Sequence, residues 1–350
     1  MRRVLTNVLP SLESPPLAER QAADTGPSTQ SEHDRWLAGW ACMNTLECVQ
    51  PSQDAASQPG ALRVAAWNLE RCKHVEASAH ALKERQVDLV LATEMDWGCA
   101  RSLQRHTTAD LAQQLGMGYV FGVEFVELAI GDARETFFYA GVENRHGFHG
   151  NAVLSRFPIV QAALIPLDEG GLWFVSDLKQ GQRRVGGRNA IAAKLDTPLG
   201  SISAVAVHFE SESTPLMRAA QSQRLLDAVN ELAGIDPVIV GGDFNVFELS
   251  RQRLDDVAMF AAPETVEPSF AAFREAGFAW ETANAPGTTT RPHPWQPEDK
   301  LRLKIDWLFV RGFSASDPWI DPAVASDGTV ISDHDAIGVT LAPGLRPGGH

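Results

Sequence analysis

Apolar residues in this chain fall into short blocks with two different periods. Leu62 to Trp67, Val87-Asp-Leu-Val-Leu-Ala-Thr93, Tyr119 to Val126, Val238-Ile-Val240 and Lys304-Ile-Asp-Trp-Leu-Phe-Val310 are nearly continuous, which marks strands buried on both faces. Asn151 to Ser155 and Ile159 to Ile165 read as a strand pair turned by Arg156-Phe-Pro158. Arg188 to Leu195 and Ser201 to Val207 read as a hairpin through Asp196-Thr-Pro-Leu-Gly200. Thr136 to Val142 and Ala336 to Leu341 are expected to be further strands. The other period is helical. Residues 75–85, 109–115, 269–275 and a segment from Pro215 to about Leu232 carry it, and proline suits a first helical turn. Residues 172–187 and 283–299 read as loops. Strands outnumber helices, hairpins occur, and two helices separate buried strands. The pattern is α/β (α+β): two stacked mixed sheets with helices outside.

Before Leu62 the pattern fades. Residues 1–60 are rich in Ser, Pro, Gln and Ala, and 11–31 read as a flexible extension. A short helix is expected over 34–46, where Trp36, Trp40 and Met43 fall at helical spacing. Residues 51–60 then form a linker. One domain occupies 61–345, with no internal repeat.

Composition adds limits. The chain has 350 residues, 44% of them hydrophobic, enough for one large core. Its net charge is −14, so its surface repels a polyanion unless basic residues gather locally. Cys42, Cys48, Cys72 and Cys99 lack Cys-x-x-Cys spacing and read as free thiols of a reducing, cytoplasmic compartment. No apolar run is long enough to span a membrane, and the N-terminal apolar stretch is too interrupted for a signal peptide. Nothing in the sequence indicates an oligomeric state.

The candidate chemistry sits where the apolar runs stop. Val238-Ile-Val-Gly-Gly-Asp-Phe-Asn245 ends a buried strand with two residues lacking Cβ, so something can approach the backbone there. If the chain stays extended, Asp243 and Asn245 point to one face. That placement and an ordinary turn both fit the motif. Asn68, Glu70, Glu94, His208, Asp333 and His334 also lie at strand ends or adjoining turns. Asp306 lies inside a strand between apolar neighbours, where a lone carboxylate is costly. Any one of these alone would be a turn, cap or surface residue. Repeated after so many buried strands, they suggest a site.

Trp67-Asn-Leu-Glu70, Ala92-Thr-Glu94, His149-Gly-Asn-Ala-Val-Leu-Ser155, Val207-His208, Gly242-Asp-Phe-Asn245, Lys304-Ile-Asp-Trp307 and Ser332-Asp-His334 occur in this order. In that, the chain resembles the endonuclease/exonuclease/phosphatase superfamily over about 62–340. The resemblance implies a four-layered α/β/β/α sandwich and metal-dependent cleavage of a phosphate ester by water. It implies Mg²⁺ or Mn²⁺ held by Glu94 with Asn68 beside it, and Asp333 on a metal or its water. It implies Asp243 orienting or deprotonating the water, Asn245 donating to a phosphate oxygen, His334 paired with Asp306, and His208 touching the phosphate. It leaves open which of Asp243 and the histidines activates water. Glu70 stands where many members have Asp, so a metal or water contact there is open. Asn151 and Arg188 are candidate substrate ligands, although for Arg183, Arg184 and Arg188 an ordinary turn also fits. Trp295 has two readings, stacking on a base or packing. The sequence carries no basic-aromatic stripe, which favours a small phosphoester or short nucleic acid as partner. The competing class is a non-enzymatic binding module on the same fold.

Overall fold

The computed structural model describes residues 2–52, 60–176, 182–297 and 299–344. In chain order the elements begin with β1 (Val8–Leu9), α1 (Leu17–Thr25), α2 (Gln30–Gly39) and β2 (Leu46–Val49). β3 (Leu62–Arg71), α3 (Val75–Glu84), β4 (Leu89–Trp97), α4 (Thr107–Leu115), β5 (Gly118–Glu127) and α5 (Ala133–Phe138) follow. Next come β6 (Phe148–Ser155), β7 (Ile159–Pro166), α6 (Leu172–Val175), β8 (Arg184–Gly186), β9 (Asn189–Thr197), β10 (Gly200–His208) and α7 (Pro215–Ala233). The last are β11 (Val238–Asp243), α8 (Glu248–Arg251), α9 (Asp256–Ala261), α10 (Ser269–Glu275), β12 (Asp306–Arg311), β13 (Phe313–Asp321) and β14 (Ala336–Pro343).

These strands make two mixed sheets. The larger runs β1-β2-β5-β6-β4-β3-β14-β13, with β8 also on β5, and the smaller runs β12-β11-β10-β9-β7. Alternation along each strand explains the stacking. On β3, Val64 and Ala66 face the other sheet, while Ala65 and Trp67 face α3 and α4. On β11, Ile239 faces inward, while Val238 and Val240 pack with residues of α7 and α10. Three apolar layers therefore separate four layers of structure, the expected α/β/β/α sandwich.

Glycine lets the sheets close at the middle. A Cβ on Gly241 would lie 2.5 Å from Leu308, 2.9 Å from Leu91 and 3.2 Å from Ala66. One on Gly242, whose φ is +141°, would lie 2.1 Å from the Val207 carbonyl oxygen. The close approach read from these glycines is thus made by neighbouring strands.

Other expectations are corrected. Residues 8–49 are folded: β2 pairs with β5, and Ala23, Leu37 and Trp40 are buried. Arg20 donates to the carbonyls of Asn144 and Arg145, and Thr29 caps α2 by accepting from Glu32 N–H at 3.3 Å. The expected linker at 51–60 lies mostly outside the described residues. The 34–46 helix exists but is shifted earlier, as α2 and a 3₁₀ turn at Ala41–Met43. The segment read as a strand over 136–142 instead begins inside α5, which has a reciprocal cap between Asp132 and Glu135. The loop read over 172–187 includes α6 and β8. β6 and β7 are not paired: the turn at 156–158 carries the chain from one sheet to the other.

Candidate active site

Two parallel strand pairs point their C-terminal ends at one edge of the sandwich. β3 and β4 bring Asn68 and Glu94, and β10 and β11 bring His208 and Asp243. The antiparallel strand β12 enters there, so Asp306 is the register partner of Asp243. The turn before β14 brings Asp333 and His334. Ser332 holds that turn by donating to the Asn68 carbonyl at 2.7 Å and accepting from His334 N–H at 3.1 Å.

His334 is the hinge of the first cluster. Its Nδ1–H donates to Asp306 Oδ2 at 2.9 Å, and its Nε2 lies 3.8 Å from Asp243 Oδ2. The contact bridges the two sheets rather than two adjacent strands, because β12 and β14 belong to different sheets. Burial alone would lower the His334 pKa, but Asp306 and Asp243 raise it well above its usual value. Asp243 is buried, and burial raises its pKa; His334 and His208 work against this, and Asp306 adds to it. The net result is a carboxylate raised above its usual range beside a cationic imidazole.

Asn68 joins this cluster to Glu94. Its amide NH₂ donates to Asp243 Oδ2 and to Glu94 Oε1, both at 3.2 Å, while its Oδ1 accepts from Glu70 N–H at 3.1 Å. Its oxygen accepts from backbone and its nitrogen faces the carboxylates, so Asn68 spaces Glu94 from Asp243. Glu94 sits at a register shift of β4 with φ +56°, a left-handed conformation that turns its side chain out of the strand alternation. Arg71 Nη1 donates to its Oε2 at 3.1 Å, and Arg71 also pairs with Glu135 at 3.3 Å. Burial pushes Glu94 up, but Arg71 together with His149, His208 and His334 outweighs it and holds the carboxyl well below its usual value.

A second cluster involves a residue the sequence did not single out. His293 Nε2 lies 2.9 and 2.8 Å from the two oxygens of Glu70. Asp333 N–H donates to Glu70 Oε2 at 3.1 Å, and one ligand atom from each of Glu70, His293 and Asp333 lies within 4.8 Å of the others. Burial would raise the Glu70 pKa; the bond from His293 and the charge of Lys73 bring it down to about 2. A histidine in a proline-rich loop carries no strand-end signal, so its role was invisible in the chain. Glu70 was visible only as a variation on the family pattern.

The remaining candidates are placed by their own contacts. Asn245 has φ +50°, so the chain is not extended after Asp243. Its backbone N–H donates to Asp243 Oδ1 at 2.9 Å and its amide to the Phe209 carbonyl at 2.9 Å. It braces the turn that carries Asp243. His208 does reach the site, 3.7 Å from Asp243 Oδ2. Arg188 lies against His208, but its donors go to Glu210 and Glu124, each at 3.2 Å, and to Ser211 at 3.4 Å. A guanidinium buried this deeply needs carboxylate partners, and through them Arg188 is held against His208. Asn151 reaches across the sheets, its amide nitrogen donating to Asn189 Oδ1 at 2.9 Å while its buried oxygen has no partner among the described residues. Arg183 donates to carbonyls of Asp24, Gly26 and Pro27 and pins the N-terminal helices. Trp295 packs between His293, at 4.0 Å between ring centres, and Arg134, at 3.4 Å.

The chain belongs to the endonuclease/exonuclease/phosphatase family, whose sequence model matches residues 65–334. Members are hydrolases of phosphoester bonds and are generally dependent on a divalent metal. Solved structures share the fold. An endonuclease/exonuclease/phosphatase from Beutenbergia cavernae is 18% identical, with TM-score 0.55, covering 81% of this chain and 72% of its own. One from Bacteroides vulgatus is 17% identical, with TM-score 0.54, covering 81% and 99%. The human nocturnin catalytic domain, with bound sulfate, is 18% identical, with TM-score 0.52, covering 81% and 94%. No curated protein sequence matches the chain. Among the described residues, no helix is long and apolar enough to cross a membrane, and all four cysteines are free.

Proposed function

We propose that the chain is a divalent-cation-dependent phosphoester hydrolase in which Asp243 takes the proton of the attacking water. The observation that carries this reading is the position of Asp243 Oδ2. It lies 3.2 Å from the Asn68 amide, 3.7 Å from His208 Nε2 and 3.8 Å from His334 Nε2. A buried carboxylate with a raised pKa is suited to accept a proton near neutral pH. As water oxygen bonds to phosphorus and the ester P–O bond breaks, the proton passes to Asp243. His334, kept charged by Asp306, donates to a phosphate oxygen as negative charge develops there.

The donor set fits a hard cation: Glu94 is tied through Asn68 to Asp243, and Glu70 and Asp333 offer further carboxylates at the same edge. When bound, Mg²⁺ or Mn²⁺ would supply positive charge to the phosphoryl oxygens. Asn68 keeps Glu94 and Asp243 in fixed relation.

The surroundings favour a small phosphoester or a short nucleic-acid end. Arg71, Arg101, Arg184, Arg188 and Arg291 all pair with carboxylates of the protein. With net charge −14, long duplex DNA would bind weakly at physiological salt. The test is a hydrolysis panel with Mg²⁺ and with Mn²⁺. It comprises bis-p-nitrophenyl phosphate, p-nitrophenyl phosphate, plasmid DNA, single-stranded RNA and inositol phosphates. Turnover of at least one ester that Asp243→Asn removes is expected. No turnover of any, or turnover indifferent to that change, would leave a binding module as the better account.

A further inference from the structure

We propose that His293 supplies a nitrogen ligand, so that Glu70, Asp333 and His293 together hold a first-row transition cation, for which Mn²⁺ is the probe, in preference to Mg²⁺. The proposal deepens the hydrolase reading and rests on it for the use of the cation, not for its binding.

The spacing suits coordination. Two ligand atoms about 2.1 Å from one metal and at right angles to it are about 3 Å apart. His293 Nε2 and the Glu70 oxygens are 2.9 and 2.8 Å apart, and the Asp333 ligand atom lies within 4.8 Å of them, near enough for a cation to draw it in. Today a hydrogen on Nε2 fills the gap between imidazole and carboxylate. A cation replacing that hydrogen would meet two carboxylates and a neutral imidazole.

The ring is also held as a ligand ring should be. Trp295 stacks on it at 4.0 Å with 10° between the planes. The guanidinium carbon of Arg134 is 3.4 Å from the Trp295 centre. Trp295 is 56% exposed, so these two contacts are what hold it beside the ring. Gln296 Oε1 accepts from His293 N–H at 3.0 Å, fixing the backbone behind the ring. A surface histidine making a casual hydrogen bond would not need this support. Oxygen-only sites suit Mg²⁺, Ca²⁺ and Mn²⁺, while an added imidazole favours first-row transition cations over Mg²⁺, least for Mn²⁺ and more for its heavier neighbours.

The experiment uses the full chain labelled with ¹⁵N-histidine and loaded with Mn²⁺, without substrate, read by pulsed electron paramagnetic resonance. A directly bonded histidine nitrogen is expected in the wild type. It should vanish in His293→Gln and persist in His334→Asn, which separates this site from the Asp243–Asp306–His334 cluster. Calorimetry should show Mn²⁺ affinity of His293→Gln reduced about tenfold or more, with Mg²⁺ affinity changed less. No bonded nitrogen in the wild type overturns the proposal whatever the variants do. So does a nitrogen signal that survives His293→Gln and is lost in His334→Asn. The readout needs no turnover, so an inactive protein with a nitrogen-ligated Mn²⁺ would sink the hydrolase reading alone. An active protein lacking that nitrogen would sink this proposal alone.

Discussion

His334 and His293 each face two carboxylates at the same edge of the sandwich, but their frames differ in kind. His334 meets Asp306 and Asp243, which are register partners on adjacent strands β12 and β11. A hydrogen-bonded ladder sets the distance between those carboxylates. His293 comes from a loop, Glu70 from left-handed backbone at the end of β3, and Asp333 from a turn. Side-chain stacking and single hydrogen bonds hold that group. On the proposed assignment, the proton-handling groups, which tolerate least error, would rest on the stiffer frame, and the ligand groups, which a cation could draw together, on the softer one.

The sharpest way to break this comparison is Asp243→Asn. Loss of a general base should lower kcat by about 10²–10⁴-fold. Mn²⁺ affinity, measured by calorimetry, should change far less; an equal loss of both would mean the two clusters act as one. Glu94→Gln should come next, weakening cation binding and activity together by roughly 100-fold. Its circular dichroism should match the wild type, since the change is nearly isosteric. An unaltered Mg²⁺ and Mn²⁺ titration would remove Glu94 from the cation's ligands.

Asp306→Asn should cost about 10- to 100-fold in kcat with little change in KM. Asp306 favours the charged ring, so removing its charge lowers the His334 pKa and moves the alkaline limb of the rate profile to lower pH. The sign for stability follows from the same raised value. The contribution is complete below the unfolded histidine value of about 6.5 and is lost as pH rises through the folded value. Nuclear magnetic resonance titration of the His334 ring checks both. A ring that titrates identically in the two proteins would dissolve the pair. The smallest effect is expected from Trp295→Ala. A stacking and cation–π contact of about 0.5–1 kcal/mol corresponds to a two- to fivefold loss of Mn²⁺ affinity. Asp306→Asn should leave that affinity unchanged, so a larger effect there than in Trp295→Ala would reverse the assignment of the softer frame.

The stiffer cluster is also the one the chain announces. Asp243, Asp306, His208 and Glu94 each interrupt or end an apolar run, and long-range pairing of such runs is what builds the edge. Asn68, Asn245 and Arg188 were visible as positions but not as contacts, because an amide's two ends and a guanidinium's partners depend on three-dimensional neighbours. His293 had no run to interrupt. Elsewhere local signals were present and were outweighed. Thr29-Gln-Ser-Glu32 and Asp132-Ala-Arg-Glu135 both have the spacing of helix starts, at α2 and α5. Low hydrophobicity hid the first, and the aromatic residues of Thr136-Phe-Phe-Tyr139 disguised the second as a strand. The false hairpin at 156–158 has a different cause: a tight turn does not say whether the following strand stays in its sheet.

β14 lies between β3 and β13, so the last described strand completes the sheet that β3 helps to open. Its partners on β3, Ala66 opposite Ile337 among them, are separated from it by most of the chain. His334 and Asp333 immediately precede it. During synthesis, therefore, the ribosome releases Asn68, Glu94, Asp243 and Asp306 well before the strand that draws their final partners into place. Until then β3 has β4 on one side and an open edge on the other, a natural point for a chaperone to hold.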